Sequence, residues 1–85
     1  MENLGMLAEA IATVGKALGA GRCMGIGAIG PALGEGNAVS HALEGMARQP
    51  EAAGDLRTNM IMGCAITETT GIYALLISIL ILFAL

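Results

Sequence analysis

Two acidic residues stand alone in long apolar surroundings. Glu35 is the single charge between Cys23 and Leu43, and Glu68 the single charge between Met60 and Leu85. An ionised carboxylate at the centre of a membrane helix costs about 2.5 kcal/mol or more to insert, so such acids face protein rather than lipid and handle ions or protons. Hydroxyls follow the second acid at once, in Thr69, Thr70 and Tyr73. A proton needs only a carboxylate and a hydrogen-bond partner, whereas a hard cation such as sodium needs several oxygens, which makes the two threonines superfluous for a proton. Glu68 and Thr69 point about 100° apart on one helix, so a site shared between copies of the chain suits them better than a site within one. No nucleophile and base pair accompanies the acids, which speaks against an enzyme.

The elements that hold these residues follow from composition. The chain has 85 residues, 55% hydrophobic and 13% charged, with 13 glycines, no tryptophan and 2% aromatics. That is too short for two domains and too apolar, with too few rings, for a compact soluble core, so the apolar surface must face lipid or other copies of itself. A net charge of −3 without a basic run argues against a nucleic-acid partner. Glu2 and Glu9 precede any long apolar stretch, so a cleaved signal peptide does not fit and the chain reads as the mature protein.

Met60 to Leu85 is long enough to cross a hydrocarbon core of about 30 Å, and Cys23 to Leu43 is of similar length though diluted by glycine and Pro31. The densest charge lies between them, with Pro50 and Gly54, as in a polar turn. The expected fold is an all-α membrane protein: a hairpin of two transmembrane helices, over 5–46 and 56–84, joined by a turn at 47–55. Positions 35 and 68 are centred between Glu51 and Ala52, inside that turn. Each carboxylate then lies roughly 25 Å from it at about 1.5 Å of rise per residue, and Leu85 lies a similar distance beyond Glu68. Both acids are therefore expected at matched depth near the bilayer midplane.

The first helix carries two stripes of small residues. Gly21, Gly25, Ala28, Ala32 and Gly36 form one, and Gly27, Gly30 and Gly34 run beside it. Small residues let helix backbones approach closely in a membrane, and two stripes suit a helix with a neighbour on either side, as in a closed ring. Gly25, Gly27 and Gly30 also match a dinucleotide-binding pattern, which is rejected because neither a preceding strand nor room for a βαβ unit exists.

Taken in order, GAGRCMGIGAIGPALGEG, ARQPEA and AITETTGIY resemble the rotor-ring proteolipid of F-type ATP synthases, the c subunit of the membrane sector. The likeness runs from about Leu18 to Phe83. The family's alternating glycines appear here as Ala28, Gly30, Ala32 and Gly34, two of them alanine. The resemblance implies a cylindrical homo-oligomeric ring, first helices inside and second helices outside, that couples ion flow to rotation while ATP chemistry stays on partner subunits. It implies Glu68 as the carboxylate that binds one ion per copy, opposed by an arginine of a stator a subunit. Arg48, Gln49 and Pro50 would contact the central stalk. It also places the chain in a bacterial plasma membrane, in contact with lipid, with the turn in the cytoplasm.

In the sodium-binding members the resemblance implies ligands at Glu35, the Ile66 carbonyl, Glu68 and the Thr69 hydroxyl, a water near Thr70, and a tyrosine hydroxyl at Tyr73. Glu35 departs from the commoner carboxamide and is similar to the two-carboxylate subset that includes the N-type rotary ATPases. Two ionised acids around one sodium would leave a buried charge of −1, so one shared proton is expected to stay with the pair. Sodium is the favoured ion and a proton the alternative, with no organic cofactor. A proton-driven ring of the same family, or a holin-like hairpin without transport, are the competing readings. Cys23 and Cys64 differ in depth by about 24 Å, which excludes a disulfide within the chain. His41 reads as a headgroup-level residue, and Lys16 and Arg22 as snorkelling cations.

Overall fold

A computed structural model describes residues 2–85. The elements are α1 (Glu2–Gly27), α2 (Ile29–Arg48), a 3-10 turn (Pro50–Ala52) and α3 (Ala53–Phe83). The α1 and α2 segments are one arm, interrupted only at Ala28. Pro31 explains the interruption, since it has no N–H for the carbonyl of Gly27 and its ring crowds the preceding turn. The ladder resumes on both sides, with the Ala28 N–H donating to the Met24 carbonyl at 2.9 Å and the Ala32 N–H to Ala28 at 3.1 Å. Glycines that would weaken a helix in water are tolerated here because lipid offers the backbone no other hydrogen-bond partner.

The turn is tighter than the 47–55 read from the sequence. Gln49, φ −131° and ψ 75°, is the one residue between α2 and the 3-10 turn, an extended shape that the following proline favours. Its N–H still caps Gly45 at 2.8 Å, and its carbonyl accepts from Ala52 at 2.9 Å. Helix therefore begins again at Ala53, before the charge of Asp55, which projects from α3 rather than from a loop.

The two arms touch through glycine. An ideal Cβ on Gly27 would stand 2.8 Å from the Ala74 Cβ, one on Gly34 3.3 Å from the Thr67 Cγ2, and one on Gly45 3.2 Å from the Leu56 Cδ1. These pairs centre between Pro50 and Glu51, one residue earlier than the midpoint of the two acids. Backbone approach of this kind gives van der Waals contact where no hydrophobic drive exists between helices in lipid. Among the described residues only Ala20, Pro31, Gly71 and Ser78 are buried. The large apolar side chains, among them Ile26, Leu33, Ile66, Leu76 and Leu82, are exposed, as expected for a hairpin covered by lipid and by neighbouring copies. Pro50–Phe83 contains a stretch long and apolar enough to cross a membrane.

Ser78 is the polar clasp of the hairpin. Its buried hydroxyl reaches the Ala20 carbonyl across the interface at 3.1 Å and the Ala74 carbonyl of its own helix at 2.8 Å. With one proton to donate, it holds both acceptors only in a shared arrangement. Ser78→Ala is expected to weaken association of the arms by about 0.6 kcal/mol, the usual size of an interhelical hydrogen bond in a membrane. A small downward shift in the thermal unfolding of the detergent-solubilised chain would register it, and no shift would mean the bond to Ala20 contributes nothing.

Candidate functional site

The hairpin brings the two lone acids together. Glu35 on α2 and Glu68 on α3 meet with their carboxyl groups within hydrogen-bonding reach. Gly71, one turn beyond Glu68, makes room for this. A Cβ there would stand 2.9 Å from Glu68 Oε1 and 3.5 Å from the Pro31 Cγ, so the carboxylate lies over a bare backbone beside the proline ring. Pro31 and Gly71 are both buried, whereas Glu68 is exposed on the flank of the hairpin and Glu35 is half-buried. Among the described residues no group of three or more His, Cys, Asp or Glu side chains gathers anywhere. Further ligands for a hard cation must then be hydroxyl, carbonyl or water oxygens.

Those oxygens lie elsewhere on α3. Ile66, Thr69 and Tyr73, spaced by three and four, share one stripe of the helix, and the 100° step per residue puts Glu68 well away from it. Tyr73 is 60% exposed and Ile66 69%, both turned outward from α2. Among the described residues no hydrogen bond joins Tyr73 to Glu68. Thr69 Oγ1 donates to the Ala65 carbonyl at 3.2 Å and Thr70 Oγ1 to the Thr67 carbonyl at 3.1 Å. Back-bonding of this sort is common for threonine in helices. It uses the hydroxyl proton and leaves the oxygen lone pairs, the atoms a cation needs, facing out. One chain thus carries two carboxylates on one flank of the hairpin and hydroxyl and carbonyl oxygens on another.

Of the small-residue stripes, Gly27 and Gly34 are occupied by α3 of the same hairpin, while Gly30 has open space around it. Gly21, Gly25, Ala32 and Gly36 are exposed and Ala28 is half-buried, and a Cβ at Gly21, Gly25 or Gly36 would meet nothing within 4 Å. Arg48, Gln49 and Pro50 are exposed at the tip. Cys23 and Cys64 are free thiols, and Cys23 Sγ donates to the Ala74 carbonyl at 3.4 Å, which makes it part of the helix contact. His41 is exposed.

Gly71, beneath the Glu68 carboxylate, and Ser78, in the contact between the arms, are positions that motif and spacing do not pick out. The one signal for Gly71 in the sequence is its place a helical turn after an intramembrane acid. Gly71→Ala would displace the Glu68 carboxylate, the mobile end of a flexible side chain, without separating the helices. The expected result is normal accumulation of the protein with ion affinity at Glu68 reduced about tenfold, equivalent to about 1.4 kcal/mol. Titrating the ion against chemical modification of Glu68 measures it, and an unchanged midpoint would show that Gly71 does not shape the site.

A family model describing the C subunit of ATP synthase matches residues 18–81. The ATP synthase c subunit of Thermotoga petrophila is 61% identical over 82 residues, 96% of either chain. That of Petrotoga mobilis is 56% identical over 72 residues, covering 85% of this chain and 75% of the relative. The second of the ATP synthase c subunits of Cereibacter sphaeroides is 54% identical over 71 residues, covering 84% and 86%.

Proposed function

The chain belongs to the c-subunit family of ATP synthases, and on that footing we propose that each copy carries one sodium ion at Glu68, in a site completed by the neighbouring copy of a rotor ring. The family supplies the coarser statement: a non-catalytic, ion-carrying membrane hairpin of the ATP synthase rotor, assembled as a ring. The meeting of Glu35 and Glu68 on a flank whose missing oxygens lie on another flank supports the finer one. In a closed ring every copy presents one flank to the next copy's opposite flank. Glu35 and Glu68 of one hairpin would then face Thr69, the Ile66 carbonyl and Tyr73 of its neighbour. Two carboxylates, a hydroxyl, a carbonyl and a water near Thr70 make about five oxygens, close to what a hard cation takes.

One proton shared by the acids keeps the sodium-loaded site neutral, since a bare negative charge at the bilayer midplane is costly. The exposed flank of Glu68 lets it pass an arginine of the stator a subunit, which would displace the ion as the ring turns. Arg48, Gln49 and Pro50, exposed at the tip, would meet the central stalk on the cytoplasmic face of the plasma membrane.

A carboxyl-directed carbodiimide tests the ion. It attacks Glu68 only in the protonated form, so millimolar sodium at neutral pH is expected to slow labelling and potassium to leave it unchanged. Thr69→Ala should raise the sodium concentration needed for protection about tenfold, through loss of one oxygen ligand worth about 1.4 kcal/mol. Labelling that ignores sodium throughout the neutral and alkaline range would reassign the ring to protons.

A further inference from the structure

The two arms of the hairpin are unequal. From Glu2 to Arg48 the first arm runs about 70 Å and α3 about 46 Å, at 1.5 Å per residue. Both start at the turn, so roughly 24 Å of α1 stands beyond the end of α3. Gly19 is the first glycine of α1 near enough to meet α3, at 3.9 Å from the Ile81 Cγ2, and residues 2–15 are exposed throughout. The hairpin is 73 Å long, against about 40–45 Å for a bilayer with its headgroups. With the apolar end of α3 in the far leaflet, residues 2–15 project past the acyl chains on the side opposite the turn.

That projection is amphipathic. Leu4, Leu7, Ile11, Val14 and Leu18 follow a 3, 4, 3, 4 spacing and are between 57% and 65% exposed. One residue further on, Gly5, Ala8, Ala12, Gly15 and Gly19 repeat the spacing as a ledge of small residues. Glu2, Glu9 and Lys16, seven apart, keep to the face that α3 covers lower down. Below Gly19 the two stripes exchange character. The large stripe continues as Gly21, Gly25, Ala28, Ala32 and Gly36, and the small one as Arg22, Ile26, Ile29 and Leu33.

We propose that residues 2–18 of α1 form a helical collar of neighbouring copies outside the membrane, the large stripe of each copy seated on the small ledge of the next. The proposal rests on the ring. A ring joins unlike faces of successive copies, and two stripes about 100° apart on one helix supply unlike faces. Large residues against small ones interdigitate at either end, and the exchange near Gly19 keeps that complementarity along the whole arm. Lipid covers exposed leucines within the bilayer, whereas beyond the acyl chains the row Leu4, Leu7, Ile11 and Val14, four large apolar residues, is stable only against protein. The neighbouring copy is the protein already held there, at the same depth and register.

Cysteine cross-linking in native membranes tests the collar. Ile11→Cys and Ala12→Cys are introduced together into a full-length chain carrying Cys23→Ala and Cys64→Ala. Adjacent residues on one helix, about 3.8 Å apart, cannot bridge to each other. Mild oxidation is expected to convert most of the monomer into a ladder of multimers, while Glu9→Cys with Lys16→Cys, on the charged face and about 10 Å apart by helical rise, too far to bridge within one chain, yields none. An assembled ring by native mass with no ladder from the first pair overturns the collar and leaves the ring standing; N-terminal segments folded onto the membrane surface would give that result. An unsubstituted chain that never assembles overturns the ring and the collar with it. Ile11→Asp serves as a second readout should the cysteine pair disturb assembly: it should lower the temperature at which the purified ring dissociates, and an unchanged temperature counts against the collar.

Discussion

Glu68→Gln is expected to abolish ATP-coupled ion transport while leaving the hairpin folded and the ring assembled. Glutamine keeps the shape of the side chain and its contact over Gly71, and removes only the charge. A unit charge pair at about 4 Å interacts by about 4 kcal/mol at an effective dielectric of 20, so its loss weakens cation binding by about three orders of magnitude. Glu35 does not stand in for it, because it is half-buried on α2, whereas Glu68 is exposed on the flank of α3. Nucleotide binding should be untouched, since catalysis belongs to other subunits. Ion uptake driven by ATP in reconstituted vesicles is the measurement. Undiminished uptake would remove Glu68 from the mechanism and move the ion to Glu35 alone.

The second large effect separates folding from assembly. Gly27→Leu should prevent the hairpin from closing. The space for even a first carbon is filled by the Ala74 Cβ at 2.8 Å, an atom attached to backbone, so the helices themselves must part. Overpacking of that kind costs about 3 kcal/mol. It also takes away the neighbouring bonds of Ser78 to Ala20 and of Cys23 to Ala74. A Cβ at Gly30 meets nothing within 4 Å, so Gly30→Leu should leave the monomer intact while blocking close approach of a neighbouring copy. Protease resistance of the membrane-embedded chain reads the first, and native mass of the detergent-solubilised oligomer the second. A ring from Gly30→Leu at its normal mass would move the contact between copies away from Gly30, and a protease-resistant Gly27→Leu hairpin would show that the arms are not held at Ala74.

Much of this is legible in the residues. Two acids at matched distance from a polar turn already state that they will meet, because helical rise is constant and a hairpin folds each arm back along the other. The same arithmetic places the turn within a residue of its true centre. Its tightness is not legible, since Asp55 looks like a loop residue by charge and is helical because the backbone resumes its ladder at Ala53. The second small-residue stripe reads as a contact for another copy. Gly27 and Gly34 instead receive the chain's own α3, a choice that composition cannot express, because a glycine states only that something approaches closely and not what does.

Linear order alone settles the hairpin, the matched distance of both acids from its turn and the kinship to a rotor subunit, since hydropathy, spacing and motif are all read along the chain. Which flank each group faces comes instead from the packing of one arm on the other. Glu68 next to Glu35 and Thr69 turned away from both are facts of rotation about a helix axis, and the axial phase of one arm against the other is set by where backbones pack most closely. That contact, Gly27 on Ala74, lies about 10 Å from the carboxylates by helical rise, so the angle between Glu68 and Thr69 on their own helix can be read from the sequence while the face that each turns toward α2 cannot.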